Sequence, residues 1–274
     1  MPAHNTAKMV NAIDQVDPIW NAIRAEAEEA AERDPLLTAF LYSTVLNQGS
    51  LEDAVSHRIA ERLGHADLDA GILRQTFAEM RQAQPEWSQV LRVDVQAVYD
   101  RDPACNRFLD PVLYLKGFHA IQTHRLAHWL WKEGRKDFAY YLQSRSSSVF
   151  QTDIHPAAKL GSGIFLDHAT GLVVGETAVI EDNVSILHGV TLGGTGKAGG
   201  DRHPKIRHGV LLGAGAKILG NIEVGHCSKV ASGSVVVKPV PSNVTVAGVP
   251  ARIVGESGCA EPSRAMDQLI NGAD

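Results

Sequence analysis

Apolar side chains return every sixth residue through the second half of the chain, a period that belongs neither to a helix nor to an ordinary strand. From Ile154 the series runs Leu160, Leu166 and Leu172. It slips by two and continues as Val174, Ile180, Ile186 and Leu192. A third run covers Ile206, Leu212, Ile218, Val224, Val230 and Val236. Small or branched residues stand four places later at many steps, as at Ala178, Val184, Val210 and Ala216, and glycine often follows the key residue directly. Such a period predicts a parallel β-helix of hexapeptide repeats. Three steps make a triangular coil, and each series residue stacks on its counterpart one coil away, at about 4.8 Å.

The first 150 residues carry a different rhythm. Apolar positions at mixed three and four spacing in "LDAGILRQTFAEMRQAQ" and "LYLKGFHAIQTHRLAHWLWKEG" predict amphipathic helices. Asp17-Pro18 is a helix-start signal, and Ser50-Leu51-Glu52-Asp53 resembles a capping box for a helix closing on Gly64. The chain therefore divides into a helical region, 1–150, a solenoid, 151–256, and a tail, 257–274. Two breaks interrupt the solenoid. One is the two-residue slip around "LDHATG". The other separates Leu192 from Ile206 by fourteen residues where a step needs six, so eight must loop out within 193–205. Irregular loops on a rigid scaffold are common places for function.

That loop contains "GGTGK", which fails as a phosphate-binding P-loop: Thr191 stands where the first glycine belongs, and Ala198 where a hydroxyl is needed. Among 274 residues the net charge is −5, which speaks against a nucleic-acid-binding surface. Three scattered cysteines favour a cytoplasmic protein over a disulfide framework. No apolar run approaches the length of a membrane span, and no signal peptide is expected.

The stretch "DIHPAAKLGSGIFLDHATGLVVGETAVIEDNVSILHGVTLGGTGKAGGDRHPKI", with "DPA" at Asp102–Ala104 and "LYLKGFHAIQTHRLAHWLW", resembles the serine acetyltransferases of bacteria and plants. The resemblance is strong over roughly 95–255 and looser before. It implies an α+β chain, an all-helical N-terminal domain followed by a left-handed parallel β-helix. Trimers of the β-helix would pair through the helical domains into a hexamer. It also implies transfer of the acetyl group of acetyl-CoA to the hydroxyl of L-serine, the first step of cysteine biosynthesis, with L-cysteine as feedback inhibitor. Other readings are an acetyltransferase for a different hydroxyl acceptor, a zinc enzyme of the γ-carbonic anhydrase type using His203 and His208, and a non-catalytic scaffold.

A serine hydroxyl needs a general base to attack a thioester, and the resemblance assigns that role to His168. Asp153 would hold the ring and stabilise its protonated form. Asp102 and Asp167 would face the substrate's ammonium. Arg202 would bind its carboxylate with His203 beside it. Gly194, Ala214 and Lys229 are candidate contacts for acetyl-CoA along the groove between subunits. Transfer is expected to be direct, in a ternary complex, because no cysteine falls at a motif position. No metal is expected: His124 and His128, four apart on a helix, read as ordinary surface or interface residues. Family members often end in a tail whose terminal isoleucine enters the active site of O-acetylserine sulfhydrylase. This chain ends "DQLINGAD", a departure that leaves docking to that partner open.

Overall fold

The computed structural model describes residues 17–196 and 199–269. Helices Pro18–Arg33, Leu51–Leu63, Ala70–Ala83, Trp87–Arg101, Lys116–Lys132 and Lys136–Phe150 form the first region. Their starts follow the expected capping chemistry. Asp17 accepts from the Trp20 amide at 3.1 Å ahead of Pro18, and Ser50 Oγ accepts from the Asp53 amide at 3.2 Å. Apolar faces meet in a core that includes Ile23, Leu63, Phe77, Leu91 and Leu130.

The chain enters the solenoid at Gln151, whose left-handed backbone (φ 62°) ends the helix Lys136–Phe150. Short parallel strands then wind through about five turns with three faces. Strand pairing measures the breaks in the repeat directly. Leu211 pairs with Lys229, one regular coil of 18 residues on. Thr152 pairs with Leu172, 20 residues on, which accounts for the two-residue slip. Thr191 pairs with Lys217, 26 residues on, so eight residues leave the coil between them. The inward series is buried from Ile154 to Val236, with Leu160 only partly covered. The last strand, Ala251–Glu256, breaks the parallel pattern by pairing antiparallel with Val244–Gly248.

The two regions are locked together. Asp94, fully buried on helix Trp87–Arg101, accepts from the Ile164 amide at 3.1 Å and from Gln122 Nε2 at 2.7 Å. It also pairs with Arg125 at 2.8 Å. A fully buried carboxylate requires such complete pairing. Gly117, in the first turn of helix Lys116–Lys132, lies so close to the solenoid that a Cβ there would stand 2.0 Å from the Leu166 carbonyl oxygen.

Candidate active site

His168 sits in the two-residue insertion, where the chain turns from strand Phe165–Leu166 toward strand Leu172–Val174. His168 and Ala169 both adopt positive φ, 55° and 62°. Non-glycine residues hold such angles at a cost of about 1–3 kcal/mol each, and they gather at functional positions. The turn is secured by bonds from the Gly171 amide to the Gln151 carbonyl (2.8 Å) and from the Gly189 amide to the Thr170 carbonyl (2.8 Å). The imidazole itself projects outward, with 71% of its side chain exposed. Its Nε2 lies 3.4 Å from Asp167 Oδ2, and its ring meets His188 edge-on with centroids 5.8 Å apart.

Asp167 is pushed above the usual carboxylate range, first by burial, with the negative charge of nearby Asp102 adding to the effect and His168 opposing it. Asp102 also caps helix Trp87–Arg101, where its Oδ1 accepts from the Ala104 amide at 2.9 Å. Asp102, Asp167, His168 and His188 thus form one cluster at a single solenoid corner, two carboxylates beside two imidazoles.

A second cluster occupies the opposite corner of the same face. The far end of the protruding loop is pinned to the turn Gly175–Thr177. Thr177 Oγ1 accepts from the Arg202 amide (3.0 Å) and the His203 amide (3.1 Å) and lies 2.9 Å from His203 Nδ1. Arg202 pairs with Glu176 at 2.7 Å, and this guanidinium holds the Glu176 carboxyl below its ordinary range. Burial pushes His203 below the ordinary histidine value, and Arg202 adds to the shift. Gly175 makes this packing possible, because a Cβ there would fall 2.0 Å from the His203 ring. Gly194 stands alongside, its hypothetical Cβ 3.7 Å from Arg202 Cγ and His203 Nε2. Lys197 and Ala198, in the middle of the loop, lie outside the described residues.

Asp153 belongs to this second neighbourhood. Its Oδ1 accepts from Gln143 Nε2 at 2.6 Å, and its charge, with that of Glu176, acts on His155. Asp153 and His168 do stand on neighbouring coils, but among the described residues no hydrogen bond joins them within the chain. Ala214 stacks in the same corner column as His168 and His188: the Gly215 amide bonds the His188 carbonyl at 2.9 Å, and the Gly233 amide bonds the Ala214 carbonyl at 2.8 Å. Lys229 is 3% exposed, and its ammonium donates to the Asp267 and Leu269 carbonyls of the tail.

Glu176, Thr177, Gln143 and His188 were not singled out from sequence. Glu176-Thr177 follows a repeat glycine immediately, and that position beside the looped-out charges was the available signal. His203 faces Thr177 whereas His208 Nε2 faces Glu261 at 3.2 Å, so the two are not brought together. Among the described residues, no group of three or more His, Cys, Asp or Glu is arranged to hold a metal ion. His124 is buried, with Nε2 3.1 Å from the Ala158 carbonyl, and His128 Nδ1 lies 2.8 Å from the Pro156 carbonyl, so each ring ties helix to solenoid.

A model of the serine acetyltransferase N-terminal region matches residues 19–123. The serine acetyltransferase of Escherichia coli K12 is 54% identical over 259 residues, 94% of this chain and 95% of that protein. This chain belongs to the serine acetyltransferase family. A crystal structure of serine acetyltransferase from Brucella abortus S19 in complex with coenzyme A superposes with a TM-score of 0.89 at 81% identity, covering 90% of this chain and 99% of that one. A serine acetyltransferase structure in complex with cysteine gives 0.90 at 53% identity, covering 92% and 98%. The family thus matches both regions, and the mixed α and β-helix architecture is the one these relatives share.

Proposed function

We propose that this chain transfers the acetyl group of acetyl-CoA to the hydroxyl of L-serine, giving O-acetyl-L-serine and CoA, the first step of cysteine biosynthesis, at a site completed by two copies of the chain. Family membership over nearly the whole length supports the reaction, and the coenzyme A complex of a relative supports the cosubstrate. The observation that carries the mechanism is the exposed His168 ring on a strained corner, beside two carboxylates.

His168 takes the hydroxyl proton as the serine oxygen attacks the thioester carbonyl. The tetrahedral intermediate collapses, the C–S bond breaks, and the departing thiolate takes the proton from the imidazolium. Asp102 and Asp167 face the substrate ammonium. Arg202 receives its carboxylate, with Glu176 and His203 setting the guanidinium's position. Acetyl-CoA runs up the corner column past Ala214, with Gly194 beside the acceptor site. Because the base and the carboxylate reader occupy opposite corners of one face, each site draws one corner from each of two neighbouring subunits. Asp153, which stands with the Arg202 corner, then serves the His168 ring of the adjacent copy and stabilises its protonated form. A trimer of solenoids paired into a hexamer through the helical regions satisfies this arrangement.

L-Cysteine, which differs from serine by a thiol for a hydroxyl, fits the same groups and acts as a competing inhibitor. The cysteine complex of a relative supports this reading. We place the enzyme in the cytoplasm: its cysteines are free, and no described helix is long and apolar enough to cross a membrane. Docking of a terminal isoleucine into O-acetylserine sulfhydrylase concerns the last residues, 270–274, which lie outside the described residues.

The test is release of free CoA from acetyl-CoA with and without L-serine, followed by subunit mixing. Chains carrying His168→Ala and chains carrying Arg202→Ala are each expected to be inactive, and to regain activity when exchanged into mixed oligomers. The same regain is expected for His168→Ala with Asp153→Asn. Serine-independent CoA release would overturn the reaction, and failure of the mixtures to regain activity would overturn the shared site.

A further inference from the structure

We propose that the cavity between helix Trp87–Arg101, the solenoid corner at Asn183 and the C-terminal helix Pro262–Ala265 binds a small anion bearing a phosphate or sulfate group. The cavity, of about 420 Å³, lies apart from both clusters described above. On its wall stands Arg101, only 5% exposed. Its guanidinium donates to three neutral oxygens: the Gly163 carbonyl (3.0 Å), Ser185 Oγ (3.1 Å) and Asn183 Oδ1 (3.0 Å). Five N–H donors are available on this group. Among the described residues, Nε–H and one Nη2–H therefore have no acceptor, and no carboxylate lies within ion-pair distance of the group.

A buried cation without a counter-ion is costly. Burial pushes the Arg101 pKa down to about 10, with the Arg264 charge adding to the effect and the more distant charges of Asp100, Glu261 and Asp94 opposing it. Arg264 is the second cation on the wall, and its Nε pairs with Glu261 at 2.5 Å. Arg92, also on the wall, is already neutralised by Asp17 and Glu52. Asp100 is the one wall carboxylate, and its Oδ1 is occupied by Gln96 Nε2 at 2.7 Å. Uncommitted donors therefore outnumber acceptors. A planar guanidinium with two free N–H groups suits a tetrahedral oxyanion. The cavity exceeds the size of a bare ion, and Val93 and Ala97 supply an apolar wall, so the ligand is a phosphorylated or sulfated metabolite with a small organic body. Bound there, it would tie the helical region, the solenoid and the C-terminal segment together.

The experiment is calorimetric titration of the full chain with inorganic phosphate and with sulfate at constant ionic strength, CoA being present to fill the cosubstrate groove. One saturable site per chain is expected. Arg264→Gln, a rim change, should weaken it at least tenfold and leave acetyl transfer unchanged. Arg101→Met should abolish it; should that variant not fold, the Arg264 result alone decides. The proposal is overturned by absence of saturable binding in the presence of CoA, or by equal affinity in Arg264→Gln. Phosphate and sulfate isotherms compared show which oxyanion the site prefers.

Discussion

The helical region and the solenoid solve the same problem, burying a core, by opposite means. The helices pack apolar faces at irregular spacing and pin them with individual, long-range polar contacts. Asp94 alone collects a solenoid amide and, from one neighbouring helix, a glutamine and an arginine. The solenoid relies on repetition, one inward residue per step and a backbone ladder that continues from coil to coil. A regular step spends its inward side chain on stacking, so departures from the repeat are where the chain can place additional groups. Both candidate clusters lie at violations: the two-residue insertion holds His168, and the turn at Gly175–Thr177 anchors the eight-residue loop. The helical region contributes to the site from its edge, through Asp102 at a helix end.

The sharpest way to test this division is to remove the base from its violation. His168→Ala should lower kcat by about 10²–10⁴, the usual worth of a general base, with thermal unfolding unchanged. A stopped assay of CoA thiol release, read beside a melting curve, checks both halves of that statement. Next comes the repeat. Leu212→Ala in a central coil should cost about 2–5 kcal/mol in chemical denaturation, since its fully buried neighbours above and below cannot close the hole. A smaller effect is expected at the loop anchor. Gly175→Ala should force His203 out of its seat and raise the serine KM about tenfold or more while leaving the acetyl-CoA KM nearly unchanged; steady-state kinetics in both substrates decides this.

A last effect is read through pH. Burial depresses His119 and His124, both in the helical region, to about 3. In the unfolded chain they titrate near 6.5. Their stabilising contribution is whole at neutral pH and is lost as pH falls from about 6.5 toward 3, because only the unfolded chain binds the protons over that window. The slope is at most about 1.4 kcal/mol per pH unit for each histidine. All four tryptophans lie in the helical region, so denaturation followed by tryptophan fluorescence at pH 7.5 and 5.5 reports it directly.

What sequence reveals follows the same division. The solenoid, its two breaks and the length of the escaping loop were readable because a fixed period turns every deviation into a count. Strand register returned the counts of 20 and 26. Helix starts at Asp17 and Ser50 were readable from local capping chemistry. The immediate partner of Asp153 was not. Its hydrogen bond comes from Gln143 on a preceding helix, and no spacing rule connects the two. Nor could periodicity show that Lys229 is covered by backbone carbonyls of the tail, since those acceptors carry no side-chain signature. Thr177 escaped notice for a related reason: a hydroxyl that orders a loop looks like any polar corner residue.

Contact between Gly117 and the Leu166 carbonyl has a mechanical consequence. Leu166 precedes His168 by two residues, and with only a hydrogen between helix and coil there is no clearance for the halves to rock at that point. The His168 turn is therefore anchored to the helical region as well as to the solenoid. In the proposed reaction, the motion that brings substrate to that imidazole then belongs to the ligands or to the glycine-rich loop rather than to a hinge between the two regions.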